Sequence, residues 1–181
     1  MMSPLQVLAV VLSLVEKLRA CGSWCGETHI QKASYLLEEA MGVPLNCGFV
    51  LYKHGPYSFE LKDQLDQMKA MGLVKVVPQP YPYGPRIEED KSAEVLKRMY
   101  TKTAEVYKEQ VVKVAEFLNS KGVAELERLT TAVYVIKESG CNASVEAQAE
   151  KLREYKPHVE RSMAEAAVIA AKEFLRETGG V

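Results

Sequence analysis

The sequence predicts an α+β protein, mainly α: a winged-helix-like N-terminal unit with a small β-hairpin, packed with a C-terminal helical layer. Three observations carry this. Phe49–Val74 reads as strand, turn, helix and returning strand. A proline- and tyrosine-rich segment, Pro78–Ile87, follows it and excludes helix, because four prolines remove backbone donors and fix φ. From Ser92 to the end, apolar residues recur at helical spacing.

In chain order, Pro4 to about Ala20 forms the first helix, with proline in its first turn. Leu8, Val11, Leu12, Val15 and Leu18 share a face, and Glu16, Lys17 and Arg19 lie outside it, so the helix reads as amphipathic. The apolar start lacks the basic region and cleavage site of a signal peptide, and no run reaches the ~20 apolar residues of a membrane span. A cytoplasmic location is expected. Cys21–Gly26 is a connector holding the only tryptophan, Trp24, a packing anchor. Thr28 opens the second helix, with Gln31 completing a capping box. Ile30, Ala33, Leu36, Leu37 and Ala40 are its buried stripe, and Gly42-Val43-Pro44 ends it.

In the central unit, Phe49–Lys53 is a strand and His54-Gly55-Pro56 a sharp turn. Ser58 caps the next helix, and Leu61, Leu65 and Met68 form its buried stripe. Gly72 and Leu73 supply a Schellman-type ending. Leu73–Val77 and Tyr83–Ile87 then flank the proline-rich loop as a wing hairpin. Beyond Ser92, Val95, Leu96 and Met99 start a stripe that continues, past a break at Thr101–Thr103, through Tyr107, Val111, Val114 and Leu118. Leu126, Leu129, Val133 and Ile136 make another, ending at Gly140. Ser144–Tyr155 is a weaker helix, Pro157 interrupts, and Ser162 with Glu165 caps the last one. With no clean linker, regions 1–90 and 91–181 are expected to form one composite domain.

The 181 residues carry 23 basic and 24 acidic side chains, a net charge of −1. Residues 1–90 hold 8 and 10 of these, residues 91–181 hold 15 and 14, so neither half is a polyelectrolyte drawn to nucleic acid. Cys21, Cys25, Cys47 and Cys141 read as reduced thiols. Cys21, Cys25 and His29 match no common zinc spacing, and no metal or cofactor is expected.

Laid out this way, the chain resembles the Panacea group, the SocA- and YwgA-like proteins. His29-Ile30-Gln31-Lys32-Ala33-Ser34-Tyr35-Leu36 is similar to that group's Lys-Leu-Gln-Lys-Leu-x-Tyr-Leu helix, with His29 and Ala33 in place of lysine and leucine. Tyr52–Ser58 with Glu60-Leu61 and Gly72–Val74 resembles its aromatic-x-x-Gly-Pro-x-Ser turn and following helix. Leu126–Tyr134 and Lys156-Pro157-His158 resemble the YwgA-type C-terminal helices. The resemblance implies a helix-turn-helix-like or antitoxin-like protein and brings no catalytic residue set.

Two functional readings follow. A non-catalytic protein-interaction module, antitoxin-like or regulatory, would use Gln31, Lys32 and Tyr35 on the outer side of the second helix, extended by His54 and Tyr57, set against the equal reading that Tyr35 packs its ring under the turn and Gln31 caps Thr28. Tyr81, Tyr83 and Arg86 are candidates for a second binding tip, set against the reading that these aromatics cover the hairpin's buried face. Gly55, Pro56, Ser58 and Gly72 are structural turn and cap residues. The partner would be another protein or a second copy of the chain, with no membrane involved. The alternative is a winged-helix DNA-binding transcriptional regulator. The Ser58 helix argues against it, because Glu60, Asp63 and Asp66 outnumber Lys62 and Lys69 where phosphates would approach. Starts for an enzyme, His54 with Cys47 and Ser58, or His158 with Lys156, lack a phosphate loop or nucleophile elbow.

Overall fold

The structure is a computed structural model that describes residues 2–180. Its elements are α1 (Pro4–Ala20), α2 (Glu27–Glu39), β1 (Val50–Tyr52), β2 (Gly55–Tyr57), α3 (Phe59–Ala70), β3 (Val74–Val77), β4 (Arg86–Glu89), α4 (Ala93–Met99), α5 (Thr101–Val106), α6 (Lys108–Phe117), α7 (Val123–Ser139), α8 (Val145–Tyr155) and α9 (Arg161–Thr178). The α+β, mainly α class therefore holds, with two small antiparallel strand pairs, β1–β2 and β3–β4, among the described residues.

Helix α1 has the expected bounds but not the expected environment. Val7 to Leu12, Leu14, Val15 and Leu18 are all buried, so it is a central helix rather than an amphipathic surface one. It packs on α2, on α4 to α6 and on β4. The dense run Leu5–Val15 explains this: valine and leucine on every face can only be satisfied by neighbours all round. Its N-terminus carries a capping box that the sequence reading did not find. Ser3 accepts from Gln6 N, and the Gln6 side chain takes the Ser3 N–H at 2.8 Å. Helices α7, α8 and α9 pack on one another, and α7 joins them to α2 and β2. One core cluster draws on both halves of the chain.

The Ser58 cap is as expected. Ser58 has extended dihedrals and its Oγ accepts from Leu61 N at 2.9 Å. Leu61, Leu65 and Met68 are fully buried. At the other end Leu73 N reaches Met68 O and Gly72 N reaches Lys69 O, the two bonds of a Schellman ending, with Gly72 at φ +68°.

Five expectations need correcting. The His54-Gly55-Pro56 turn is tighter than read: Lys53 and His54 alone form the loop, and Gly55–Tyr57 returns as β2 with Tyr52 opposite Gly55 and Leu51 opposite Pro56. Gly26, not Thr28, is the N-cap of α2, which frees Gln31 for other bonds. The wing's second strand starts at Arg86 rather than Tyr83, because the prolines keep Pro78–Pro85 out of the ladder. Val95 and Met99 are exposed, leaving Leu96 as the buried residue of that turn, and the helix breaks fall at Tyr100 and Tyr107. Glu160, not Ser162, occupies the N-cap of α9. No helix among the described residues is long and apolar enough to cross a membrane.

Candidate functional site

The candidate site is built where the β1–β2 hairpin lies across α2 and α7. In a two-residue hairpin the residues flanking the loop form a hydrogen-bonded pair, and the next pair points its peptide groups outward. Pro56 sits at that next position, so its missing N–H costs the ladder nothing. Its carbonyl faces away from β1 and accepts from Lys32 Nζ at 2.8 Å. Gly55 is required twice over. Its φ is +90°, and a Cβ there would lie 2.8 Å from Thr131 Oγ1 on α7.

Behind the hairpin lies a cluster of charges. Lys32 and Lys156 are 2% and 3% exposed, so two ammonium groups are buried around one carboxylate. Glu127 Oε2 is 3.2 Å from Lys156 Nζ, and Oε1 is 3.3 Å from His54 Nδ1. Burial pushes Lys32 down to about 8, with Glu127 opposing that shift and Lys156 adding to it. A cavity of about 460 Å³ opens onto it, bounded by Glu27, Lys32, Tyr52, His54, Tyr57 and Glu127, so a second carboxylate faces the same space.

The outer face of the hairpin is apolar. Val50, Tyr52 and Phe59 are 48%, 58% and 55% exposed. Tyr52, Tyr57 and Phe59 form a mutual cluster with ring centroids 5.2 to 6.0 Å apart. Tyr57 also donates its hydroxyl to Glu27 Oε1 at 3.3 Å. Among the described residues β1 pairs with no strand other than β2.

The structure divides the residues expected to act together. Gln31, Lys32, His54 and Tyr57 do meet around the cavity. Gln31 and Lys32 are nevertheless buried, not displayed on an outer surface. The Gln31 amide brackets Ser58, donating to its carbonyl at 2.8 Å and accepting its N–H at 3.0 Å. The Ser58 hydroxyl in turn donates to Cys47 O. Tyr35 is buried elsewhere, edge-on to Phe49 at 5.3 Å, and its burial raises its hydroxyl pKa. These three therefore do not form the expected patch, because α2 is enclosed on nearly every side by α1, α6, α7 and β2.

The wing residues stand apart from this cavity. Tyr81 is 96% exposed, and Tyr83 stacks on Trp24 at 4.9 Å. Neither covers a buried hairpin face. Arg86 lies over Trp24 and 3.3 Å from Glu88. His54 pairs with Glu127 rather than Cys47, and Lys156 with Glu127 rather than His158. Among the described residues no three His, Cys, Asp or Glu side chains converge as a metal site would require.

Sequence reasoning missed Val50, Tyr52 and Phe59 as surface residues and Glu127 with Lys156 as partners of Lys32. Val50 and Tyr52 stand at i and i+2, which places them on one side of a strand. That signal was available; the long-range charge pairing was not. No protein-family model matches the sequence, and no curated protein matches it at a significant level.

Proposed function

We propose that the chain is a non-catalytic protein-interaction module, regulatory in the antitoxin-like sense that its resemblance to the Panacea group implies. The observation that carries this reading is the exposed Val50–Tyr52–Phe59 face beside a strand that pairs with no strand other than β2. An extended partner segment would add to β1 through main-chain hydrogen bonds and set its side chains against Tyr52, Tyr57 and Phe59. Aromatic side chains are favoured at such contacts because they bury much area for little entropy. A polar side chain of the partner would enter the cavity between Lys32, His54 and the carboxylates of Glu27 and Glu127. A cytoplasmic location belongs to the same proposal.

The DNA-binding alternative rests on the winged-helix-like order of α2, α3 and the β3–β4 hairpin. Its weakness is that the cations it would use are engaged. Lys62 and Lys69 both pair with Asp66, and Arg86 pairs with Glu88.

A Tyr52→Ser, Phe59→Ser double variant tests the reading, since both side chains are exposed and neither holds the core. It is expected to keep the wild-type circular dichroism spectrum and to lose a protein captured by the wild type from its native cell. Random duplex DNA should bind both proteins only in the micromolar range or weaker at physiological salt. Unchanged capture by the double variant, or tight DNA binding with a steep salt dependence, would overturn the proposal.

A further inference from the structure

Lys32 borders the cavity beneath the β1–β2 hairpin, and its surroundings suit an amine better than an ammonium. An ammonium carries three donors, whereas an amine carries two and a lone pair. Among the described residues Pro56 O is the acceptor that Nζ reaches, at 2.8 Å. Glu127 gives one oxygen to Lys156 at 3.2 Å and the other to His54 at 3.3 Å. Glu27, also on the cavity wall, accepts from the Tyr57 hydroxyl. Neither carboxylate forms an ion pair with Lys32. The side chain is almost wholly enclosed, so solvent does little for the remaining donors. The same enclosure is the main cause that lowers its pKa to about 8, with Glu127 opposing the shift and Lys156 adding to it.

Room for a reaction partner is present on the same side. A Cβ on Gly55 would stand 3.6 Å from Nζ, so the glycine keeps a side chain away from the amine. The cavity of about 460 Å³ is also lined by Tyr52, Tyr57 and Val123, which give it an apolar part. That volume is on the scale of a small-molecule site.

We propose that Lys32 is a covalent binding site for small aliphatic aldehydes, which its amine takes up reversibly as an imine. The Nζ lone pair attacks the carbonyl carbon, and the carbonyl π pair moves to oxygen. The carbinolamine then loses that oxygen as water together with both amine protons. A proton from solvent completes the iminium, whose N–H donates to Pro56 O as the amine did. Counted from the ammonium, one water is released and the charge is conserved, with no oxidant or reductant involved. The alkyl group lies against Tyr52, Tyr57 and Val123. The reaction needs no protein partner and stands or falls apart from the interaction reading.

Propanal is the probe. The full chain at pH 7 is treated with limiting propanal and cyanoborohydride, which fixes an imine as a propylamine, and the modified lysines are located by peptide mass mapping. Lys32 should be propylated about tenfold faster than exposed lysines such as Lys53 and Lys75, because far more of it is unprotonated at this pH. Its rate should level off above about pH 8 while theirs keeps rising. In urea the preference should disappear, since it belongs to the folded cavity. Lys32→Met should lose the fast phase and keep the slow labelling elsewhere. When dialysis precedes the reductant, no propyl group should be found on Lys32. Folded chain in which Lys32 reacts no faster than Lys53 and Lys75, or a preference that persists in urea, would overturn the site. An adduct that survives dialysis without reductant would overturn the imine.

Discussion

Lys32 shows how one residue type can carry a meaning opposite to its usual one. At i+1 from Gln31 on a helix with a clear apolar stripe, it reads as a solvated charge. In the fold it is enclosed, and its Nζ is held by Pro56 O. Burial disfavours its charged form and lowers its pKa from 10.5 to about 8. The sign of the consequence follows. Below about pH 8 both folded and unfolded chains hold the proton, and folding bears the full cost of burying the charge. Above it the folded chain releases the proton first, so the unfolded chain binds more protons and stability rises with pH. Cys25 and Cys47, each pushed up to about 12 by burial, act in the opposite direction above about pH 9. Comparison with Lys32→Met cancels them. Between pH 7 and pH 9 the wild type should gain about 1 kcal/mol relative to Lys32→Met in urea unfolding. A flat difference would mean that Lys32 is not held in a charge-excluding site.

Among the elements, α3 was the most legible, because its signals are local. Ser58, the Leu61–Leu65–Met68 spacing and Gly72 each act within a turn or two of the chain. What lay beyond reach was the use of Ser58 by distant groups. Its hydroxyl also donates to Cys47 O, and Gln31 holds its backbone. Ser58→Ala therefore removes a cap and leaves a buried carbonyl without its donor. The expected loss is about 2 kcal/mol, more than a cap alone, measured from urea midpoints at unchanged m. A loss below about 0.5 kcal/mol would show the cap to be dispensable. Helices α1 and α2 were legible as helices but not as surroundings. Periodicity reports where apolar residues fall, and when polar ones such as His29, Gln31 and Lys32 are buried as well, the stripe no longer marks the exposed side. The β1–β2 pairing escaped notice because Pro56 argues against a strand, and only the outward-facing register makes it harmless there.

At the scale of the whole molecule, a central α1 holds a strand-bearing N-terminal half against a helical C-terminal half. This leaves the β1–β2 hairpin on the outside with its charged underside on α2 and α7. The overall charge balance and the engaged lysines of α3 turn attention from nucleic acid to that hairpin. Of the candidate site, His54 and Tyr57 were singled out by the sequence beside Lys32, but Lys32 was read as lying on an outer side and Gly55-Pro56 as the turn itself rather than the returning strand. Glu127 and Lys156 were not, because their approach depends on α7 and on the turn after α8 meeting the hairpin from far along the chain. The most direct measurement is backbone hydrogen exchange with and without the captured protein partner. Binding by strand addition predicts slowed exchange at the outward-facing Leu51 amide of β1, with smaller changes through Tyr57 and Phe59 and none along α3 beyond its first turn. Slowed exchange centred on α3 or on the β3–β4 hairpin, with β1 unchanged, would contradict the account.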